Sequence, residues 1–401
     1  MDHILNCSGY AAAGIEIVRG EASTLYDARG KGYVDFEAGV WCAALGHGHP
    51  RVVTALQAQA GRLAHLAYRY DSPVIEEAAV ALLESLTLAD GRCVFLSSGS
   101  EAVEVGVQAA RELSGRPLLL TLSDAYLAAY GSAARRDPSE WYAFDWSGCA
   151  HCERREACDP ECERLGDVPF GALGGFAFEP GNSGGLVRLP PRGLVRTLAE
   201  RIQEGGGYVV VDEVTTGLGR TGSWFGYQHY DLQPDIVALG KGLGNGYPVS
   251  AVALTRQVAE RLNACDFHHA QSHQNDPLGC AVAREVLTVL REEGLIERSA
   301  QLGARFLGAL DALVARHAPL REARGRGLMI ALEFAEDARP SVTSTYHALL
   351  GRGFIVGCKP AARILRFYPP LIVGEEEIEG LVEALDAILE GTKKSRRAAY
   401  L

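Results

Sequence analysis

The chain has 401 residues, 47% hydrophobic and 22% charged, a composition typical of a globular protein of enzyme size. Its 39 basic and 50 acidic residues give a formal net charge of −11, which argues against a nucleic-acid binder. No apolar run approaches the roughly 20 residues that a membrane helix needs, and the start MDHILNCSGY lacks the pattern of a signal peptide. These features predict a cytoplasmic protein without nucleic-acid or membrane partners.

Apolar residues spaced three and four apart predict amphipathic helices over 51–66 and 74–87. Short apolar runs bounded by glycine then predict buried strands, at 93–98, 117–122, 174–178, 208–213, 235–239 and 249–254. Helical patterns over 101–114 and 191–204 separate several of these strands. Strands that alternate with helices predict an α/β fold with a mostly parallel sheet covered on both faces, and such sheets bind ligands beyond the carboxyl ends of their strands.

The pattern changes near residue 278. Helices are predicted over 278–292 and 295–316, followed by a short α+β region and a last helix near 375–390. This change predicts a second, smaller domain.

The segment 97–101 (SSGSE) follows one predicted strand and opens a predicted helix. A helix start directs free backbone N–H groups and the positive end of the helix dipole outward, so a phosphate can bind there. The simpler interpretation is that Ser98 or Ser100 only caps the helix, and on this segment alone we favour capping.

Asp212 and Lys241 each follow a buried strand. A buried carboxylate at Asp212 costs several kcal/mol unless a cation faces it, and that cation is either functional or a structural partner such as Arg220. Lys241 lies in LGKGLGNGYP among four glycines, and desolvation lowers the pKa of such an amine until it can act as a nucleophile. A lysine without chemistry is the alternative, which is weakened because the chain has only five lysines.

Together these elements supply what pyridoxal 5′-phosphate requires: a phosphate cradle, a carboxylate for the protonated pyridine nitrogen and a lysine for a Schiff base. The chain resembles the class III aminotransferases, a fold-type-I pyridoxal-phosphate family that includes the ornithine, acetylornithine and 4-aminobutyrate enzymes. The resemblance extends from about residue 15 to 390. The matching segments are LYDARGKGYVDFEAGVW, LGHGHPRV, SSGSEAVE, Glu179-Pro180, VVVDEVTTGLGRTG, PDIVALGKGLGNGYP, QNDPLGCAVA, RGRGLMIALEF and LRFYPPLIV.

This resemblance implies a large domain with a mostly parallel central sheet flanked by helices, plus a smaller α+β domain built from both ends of the chain. The implied boundaries are 1–50 for an N-terminal segment that joins the small domain, 51–285 for the large pyridoxal-phosphate domain, and 286–401 for the C-terminal small domain. A cysteine-rich loop, 147–166, interrupts the large domain.

The resemblance also implies roles for residues near the cofactor. Lys241 matches the catalytic Schiff-base lysine, and Asp212 matches the partner of the pyridine nitrogen. Gly99 and Ser100 match the phosphate-binding pair.

Further matches concern the faces of the cofactor ring and the neighbouring subunit. Val214 would pack against one ring face and Tyr126 against the other. Ser272 falls where the family usually has a threonine that reaches the phosphate of the neighbouring subunit, which implies a homodimer.

The substrate side rests on Arg366, which matches an arginine that grips a substrate carboxylate; an ordinary ion pair is the alternative. Trp41 and Tyr10 are candidate pocket residues, although an aromatic residue after a strand more often belongs to the core. The glutamate that masks the arginine in ornithine and 4-aminobutyrate enzymes falls at Gly184, so we expect Arg366 to be unmasked.

Two other positions depart from the family pattern. The usual Tyr-His-Gly is Tyr126-Leu127-Ala128 here, and the usual glutamine after Asp-Glu-Val is Thr215. We therefore expect a changed hydrogen bond near the ring oxygen of the cofactor.

Four cysteines form a C-x2-C-x5-C-x3-C pattern, at Cys149, Cys152, Cys158 and Cys162. Thiolates with this spacing suggest a structural zinc site or an iron–sulfur cluster, although the C-x5-C gap is not a standard finger spacing. Reduced thiols or disulfides are the alternatives.

The sequence thus predicts a pyridoxal-phosphate-dependent aminotransferase that moves an amino group from an amine or amino acid to a keto acid in a ping-pong reaction, through an aldimine at Lys241. A racemase, decarboxylase or lyase on the same fold is the first alternative, because such enzymes use the same lysine and aspartate. A non-catalytic scaffold is the second.

Overall fold

The structure is a computed structural model that describes residues 3–9, 13–182 and 184–398. Tyr10, a candidate pocket residue, lies outside these residues. The strands are, in chain order, β1 (Ile17–Glu21), β2 (Thr24–Asp27), β3 (Gly32–Asp35), β4 (Arg92–Leu96), β5 (Leu118–Leu122), β6 (Trp141–Phe144), β7 (Leu173–Phe178), β8 (Tyr208–Asp212), β9 (Ile236–Leu239), β10 (Ser250–Leu254), β11 (Leu320–Arg326), β12 (Met329–Phe334), β13 (Phe354–Ile355), β14 (Gly357–Lys359) and β15 (Ile364–Phe367).

The helical segments are α1 (Ala38–Trp41), α2 (Pro50–Arg62), α3 (Pro73–Ser85), α4 (Gly99–Ser114), α5 (Ser132–Arg135), α6 (Glu163–Gly166), α7 (Arg192–Glu204), α8 (Arg256–Ala264), α9 (Pro277–Glu292), α10 (Leu295–Arg316), α11 (Val342–Gly351) and α12 (Glu375–Ala398). The long predicted helices are therefore confirmed. The helix predicted over 51–66 ends early, because Leu63 adopts an extended conformation with φ −162°. None of the described helices is both long and apolar enough to cross a membrane.

The central sheet has the strand order β4-β10-β9-β8-β7-β5-β6. Its strands are parallel except β10, which runs antiparallel to both of its neighbours, so the prediction of a mostly parallel sheet is confirmed. Strand β8 lies in the middle of this order and all of its residues are buried. Edge strand β6 was not predicted, because its apolar run WYAF has only four residues and is bounded by charged residues rather than by glycine.

Two smaller sheets complete the fold. One is the antiparallel sheet β11-β12-β15-β14, and the other combines the N-terminal strands in the order β1-β2-β3-β13. Strand β13 comes from the C-terminal part of the chain and pairs in parallel with β3. An aromatic cluster reinforces this junction, since the ring centroids of Phe36 and Phe306 are 6.0 Å apart and those of Phe306 and Phe367 are 5.3 Å apart. The domain boundaries implied by the resemblance remain a prediction.

Strand direction determines where functional side chains meet. Because β10 is antiparallel to both β4 and β9, strands β4, β5, β7, β8 and β9 all run in the same direction. Their carboxyl ends therefore lie along one edge of the sheet, where such folds bind ligands. The chain leaves these strands at Ser97, Ser123, Glu179, Glu213 and Gly240.

Candidate active site

Lys241 follows β9 directly after Gly240 and begins a short 3-10 turn. Its Nζ donates a hydrogen bond to Thr215 Oγ1 at 2.7 Å and lies 4.8 Å from the ring centroid of Trp41. Burial lowers the pKa of the Lys241 amine, although the negative charge of Asp212 opposes this shift. The amine is therefore closer to its neutral, nucleophilic form than an exposed lysine is.

Asp212 ends the central strand β8 and is only 5% exposed. Burial raises its pKa to about 7, while a hydrogen bond from the Val214 N–H to Oδ1, 2.9 Å long, and the charge of Lys241 act in the other direction. Arg220, considered above as its structural partner, instead donates to the carbonyl oxygens of Leu328 and Pro369. Asp212 is thus a desolvated carboxylate that a cationic ligand would stabilise.

The start of α4 forms the third part of the site. Ser98 caps the helix and its Oγ accepts the N–H of Glu101 at 3.2 Å, so the capping interpretation is correct for this residue. The first-turn N–H groups of Gly99 and Ser100 have no intrahelical acceptor and remain available to an anion. Ser100 Oγ accepts the Ala129 N–H at 2.9 Å, which ties the helix start to the loop after β5.

Val214 and Tyr126 lie at this same edge. A Cβ at Gly99 would lie 2.5 Å from Val214 Cγ1, so the side chain of Val214 packs directly against the helix start. The backbone N–H of Tyr126 donates to Glu179 Oε2 at 3.0 Å, and the Tyr126 side chain is 47% exposed. Glu179 also raises the pKa of Lys241, which connects the Tyr126 loop electrostatically to the lysine.

Arg366 on β15 has a carboxylate partner, so the expectation that it is unmasked is wrong. Its Nη2 lies 3.0 Å from Oε1 of Glu37, in the loop after β3. Gly184 indeed brings no carboxylate, but Glu37 supplies one from a different element. The guanidinium carbon of Arg366 also lies 5.1 Å from the Trp41 ring centroid, and the Trp41 ring stacks on Tyr368 at 4.7 Å.

Trp41 therefore lies close to both Lys241 and Arg366, in the region where the sequence placed a substrate pocket. It is presented by α1 (Ala38–Trp41), in which every residue has a positive φ between 46° and 71°. Such left-handed backbone costs about 1–2 kcal/mol per non-glycine residue. Asp35 supports the turn by accepting the N–H groups of Glu37 at 2.8 Å and Gly39 at 3.0 Å.

Ser272 is exposed in a turn before α9. Asn275 fixes this turn to β4, because its Oδ1 accepts the N–H of Phe95 at 2.8 Å. Within the described part of the chain, no hydrogen bond joins Ser272 to Lys241, Asp212 or the start of α4. Its predicted role toward a neighbouring subunit remains a prediction.

The metal prediction for the cysteine loop is not supported. Among the described residues, the one group of three His, Cys, Asp or Glu ligands within 4.8 Å of one another is His65, His273 and Asp276. The four thiols are free, and no zinc or iron–sulfur set is formed by Cys149, Cys152, Cys158 and Cys162.

The loop packs against protein instead. A Cβ at Gly193, in α7, would lie 2.5 Å from the backbone nitrogen of Cys158, so the loop lies directly on this helix. The Gly193 N–H also donates to the Arg155 carbonyl at 2.8 Å. Burial raises the pKa of the Cys149 and Cys158 thiols, and neighbouring thiols of the loop raise it further.

Several site residues were not assigned from the sequence. Thr215 was read only as a departure from the family pattern, yet it holds Lys241. Lys359 was not singled out from the sequence, but its Nζ donates to the Gly184 carbonyl and its pKa is lowered, chiefly by burial. Glu37 lies in the segment DFEAGVW, four residues before the candidate pocket residue Trp41. This nearness to a predicted pocket residue is the signal that could have identified it.

These residues fit pyridoxal 5′-phosphate. The start of α4 offers N–H groups to a phosphate, Asp212 is a buried carboxylate that favours a protonated ring nitrogen, and the amine of Lys241 tends toward the neutral form. All three lie at the carboxyl edge of the same sheet.

Residues 8–129 and 139–389 match the family model "Aminotransferase class-III". The chain belongs to the class III aminotransferases. This aminotransferase is 34% identical over 399 residues to the acetylornithine aminotransferase of Streptomyces clavuligerus, covering 97% of the chain and 94% of the relative. It is 32% identical over 394 residues to that of Methanopyrus kandleri, covering 94% and 95%.

A Bacillus anthracis aminotransferase has a similar solved structure, with a TM-score of 0.88 and 25% identity over 97% of this chain and 96% of that chain. The predictions of a fold-type-I enzyme and of pyridoxal-phosphate-dependent transamination are therefore confirmed. The aminotransferase moves an amino group between an amine or amino acid and a keto acid, so the racemase, decarboxylase and lyase alternatives are not favoured.

Proposed function

We propose that Lys241 holds the cofactor covalently and moves the proton in transamination, with Asp212 on the ring nitrogen and the start of α4 on the phosphate. The observation that carries this proposal is the arrangement of these three groups at one sheet edge, where Lys241 and Asp212 shift each other's pKa. Bound pyridoxal phosphate would supply an electron sink for the substrate carbon. Val214 and Tyr126 would enclose the ring, which matches their positions beside Gly99 and Glu179.

Lys241 is suited to act as a general base once a donor amine displaces it. Its lowered pKa provides a neutral amine that can accept a proton from the substrate carbon and deliver it elsewhere. Thr215 Oγ1, 2.7 Å away, would hold the released amine in position. Trp41 would exclude water from one side, since it is buried beside Lys241.

For the substrates, we propose a donor with a terminal amine, such as N-acetylornithine, and a 2-oxo acid acceptor. The names of the acetylornithine aminotransferases that resemble this chain support the donor. The acceptor is supported by Arg366, whose guanidinium lies near Trp41, as the Lys241 amine does, and can bind a carboxylate.

Replacing the lysine tests the assignment. Lys241→Ala should abolish the visible absorbance of covalently held cofactor and reduce transamination by more than a thousandfold. Lys359→Ala is a control for the loss of a partly buried lysine and should keep the absorbance. Retained activity and absorbance in Lys241→Ala, with a native circular-dichroism spectrum, would show that Lys241 does not have this role.

We also propose a homodimer in the cytoplasm. Large apolar side chains are exposed along one stretch of the chain, at Val40, Val53, Leu63, Tyr68, Tyr70 and Val80. His65, within this stretch, lies 3.2 Å from Asp276, so a dimer that covers the stretch would place Ser272 close to the neighbouring subunit. The ten cysteines, all within the described residues, form no disulfide, which is consistent with a reducing compartment. Light scattering at micromolar concentration should give twice the mass of the chain, and a monomer would contradict the proposal.

A further inference from the structure

We propose that His65, His273 and Asp276 form a binding site for a divalent transition cation, of which Zn²⁺ is the best match. Two segments meet at this site: the loop after α2, which carries His65, and the turn before α9, which carries the other two residues. Because the site lies outside the groups proposed for catalysis, it can exist whether or not the proposed function is correct.

The three side chains converge as metal ligands do. Asp276 Oδ1 lies 3.2 Å from Nδ1 of His65, and Asp276 Oδ2 lies 2.8 Å from Nδ1 of His273. The two imidazole rings are adjacent, with centroids 4.9 Å apart, and one ligand atom from each residue lies within 4.8 Å of the other two. In a tetrahedral zinc site, bonds of about 2.0–2.1 Å place neighbouring ligand atoms about 3.3 Å apart. Small side-chain movements are therefore enough to admit the cation.

The carboxylate of Asp276 is not used to cap the helix that it precedes. Asp276 is the N-cap of α9, where an aspartate ordinarily accepts an N–H of the first turn, but its side chain makes no such hydrogen bond. This side chain is only 13% exposed, and among the described residues its ion-pair partners are the two histidines, with no arginine or lysine. When both imidazoles are neutral, a largely buried negative charge faces two nitrogen ligands, and a bound cation would neutralise it.

The backbone around the site is held in place before any ion binds. Asn275 exchanges two hydrogen bonds with Phe95 of β4, donating its N–H to the Phe95 carbonyl at 2.9 Å and accepting the Phe95 N–H through Oδ1 at 2.8 Å. The N–H of His273 donates to Gln271 Oε1 at 2.7 Å. His65 follows α2, which packs against α9. The two segments that carry the ligands are thus fixed relative to each other, which lowers the entropic cost of binding an ion.

The types of ligand decide which cation fits. Imidazole nitrogens suit Zn²⁺, Cu²⁺ and Ni²⁺, whereas Mg²⁺ and Ca²⁺ prefer sets made of oxygen atoms. Two histidines and one carboxylate are an established set of three protein ligands for zinc, with the fourth position left for water. The stretch that contains His65 is also the one proposed to be covered in the homodimer, so the ion would bind beside the subunit contact.

Equilibrium dialysis of the holoenzyme against a series of zinc chloride concentrations, with zinc measured by elemental analysis, gives the number and affinity of bound ions. Because the ten cysteines can also bind zinc, the measured quantity is the difference between the wild type and its variants. His273→Ala should lose one high-affinity zinc ion per chain, with the affinity of that site at least tenfold weaker. Asp276→Asn keeps an oxygen that accepts hydrogen bonds from histidine. It should show the same loss and is the second variant should His273→Ala fail to fold.

His268→Ala is the matched control. His268 lies in the same connection between α8 and α9 and pairs with one carboxylate, Asp266, at 3.3 Å, but among the described residues no third ligand completes this pair. This variant should bind as much zinc as the wild type. Zinc should also raise the melting temperature of the wild type and of His268→Ala but not that of His273→Ala, and a chelator should reverse the rise.

The opposite result has a clear meaning. If folded His273→Ala and Asp276→Asn bind zinc with the stoichiometry and affinity of the wild type, the three side chains form only a hydrogen-bonded cluster and the proposed metal site is wrong.

Discussion

Asp212→Asn should stabilise the cofactor-free protein while weakening its hold on the cofactor. Burial raises the pKa of Asp212 from 3.8 to about 7, so ionising this carboxylate in the folded chain costs about 4 kcal/mol. A neutral amide avoids that cost and can still accept the Val214 N–H through its oxygen. Burying the amide itself costs roughly 2 kcal/mol, so we expect a net gain of about 2 kcal/mol at pH 8.

The gain should depend on pH in one direction. A carboxyl group with a raised pKa in the folded state makes the wild-type protein lose stability as the pH rises from about 4 to about 7. At pH 5 Asp212 is already protonated, and the advantage of Asn should nearly disappear. Glu213, whose pKa burial also raises to about 7, titrates in both proteins. The Asp212 charge raises that pKa further, so its removal should add to the advantage of Asn at pH 8.

Urea denaturation of the cofactor-free wild type and variant at pH 5 and pH 8 measures this difference. Asp311→Asn, a change at an exposed position of α10, is the control and should alter stability by less than about 0.5 kcal/mol at either pH. Titration with pyridoxal phosphate should show at least tenfold weaker binding by Asp212→Asn. An equal stability change at both pH values, or destabilisation only at pH 8, would refute the assignment of Asp212 as a carboxylate whose pKa is raised by burial.

Two further substitutions probe the groups around Lys241. Gly99→Ala places a Cβ 2.5 Å from Val214 Cγ1, so it should lower the free energy of unfolding by about 1–3 kcal/mol and weaken cofactor binding at least tenfold. Thermal melting and pyridoxal-phosphate titration measure these effects. Unchanged cofactor affinity would contradict the close packing. Thr215→Val removes the 2.7 Å hydrogen bond to Lys241 and should reduce kcat about tenfold with little change in thermal stability, whereas Thr215→Ser should retain most activity.

The cofactor half of the site could be predicted because it follows from strand order. Asp212, Lys241 and Gly99 each follow a short apolar run within a few residues, and parallel strands bring such positions to one edge whatever the details of packing. Local chemistry then distinguishes them, since glycine-rich sequence surrounds the lysine and a helix begins at Gly99.

The substrate half could not be predicted in this way. The partner of Arg366 depends on the meeting of a loop after β3 with strand β15, and no local pattern connects positions 329 residues apart. In ornithine and 4-aminobutyrate aminotransferases a glutamate masks the corresponding arginine, and this glutamate falls at Gly184 here. The prediction that Arg366 is unmasked therefore depended on that one position. The sequence also gives no sign of the positive φ angles in α1, because Ala38, Val40 and Trp41 are residues that rarely adopt them.

Groups that lower the stability of the folded protein are concentrated at the candidate active site, which argues against a purely structural role for this fold. The buried carboxylate Asp212, the desolvated amine Lys241 and the unpartnered Nε of Arg366 all lie around Trp41 or at the adjoining sheet edge. A scaffold gains nothing from such groups, and replacing them with apolar residues is a common route to higher stability. Each of them is instead relieved by a ligand of stated chemistry: a cationic ring nitrogen, a carbonyl carbon and a carboxylate. Their convergence at one edge of the sheet is what a transaminase needs and what selection for stability alone would remove.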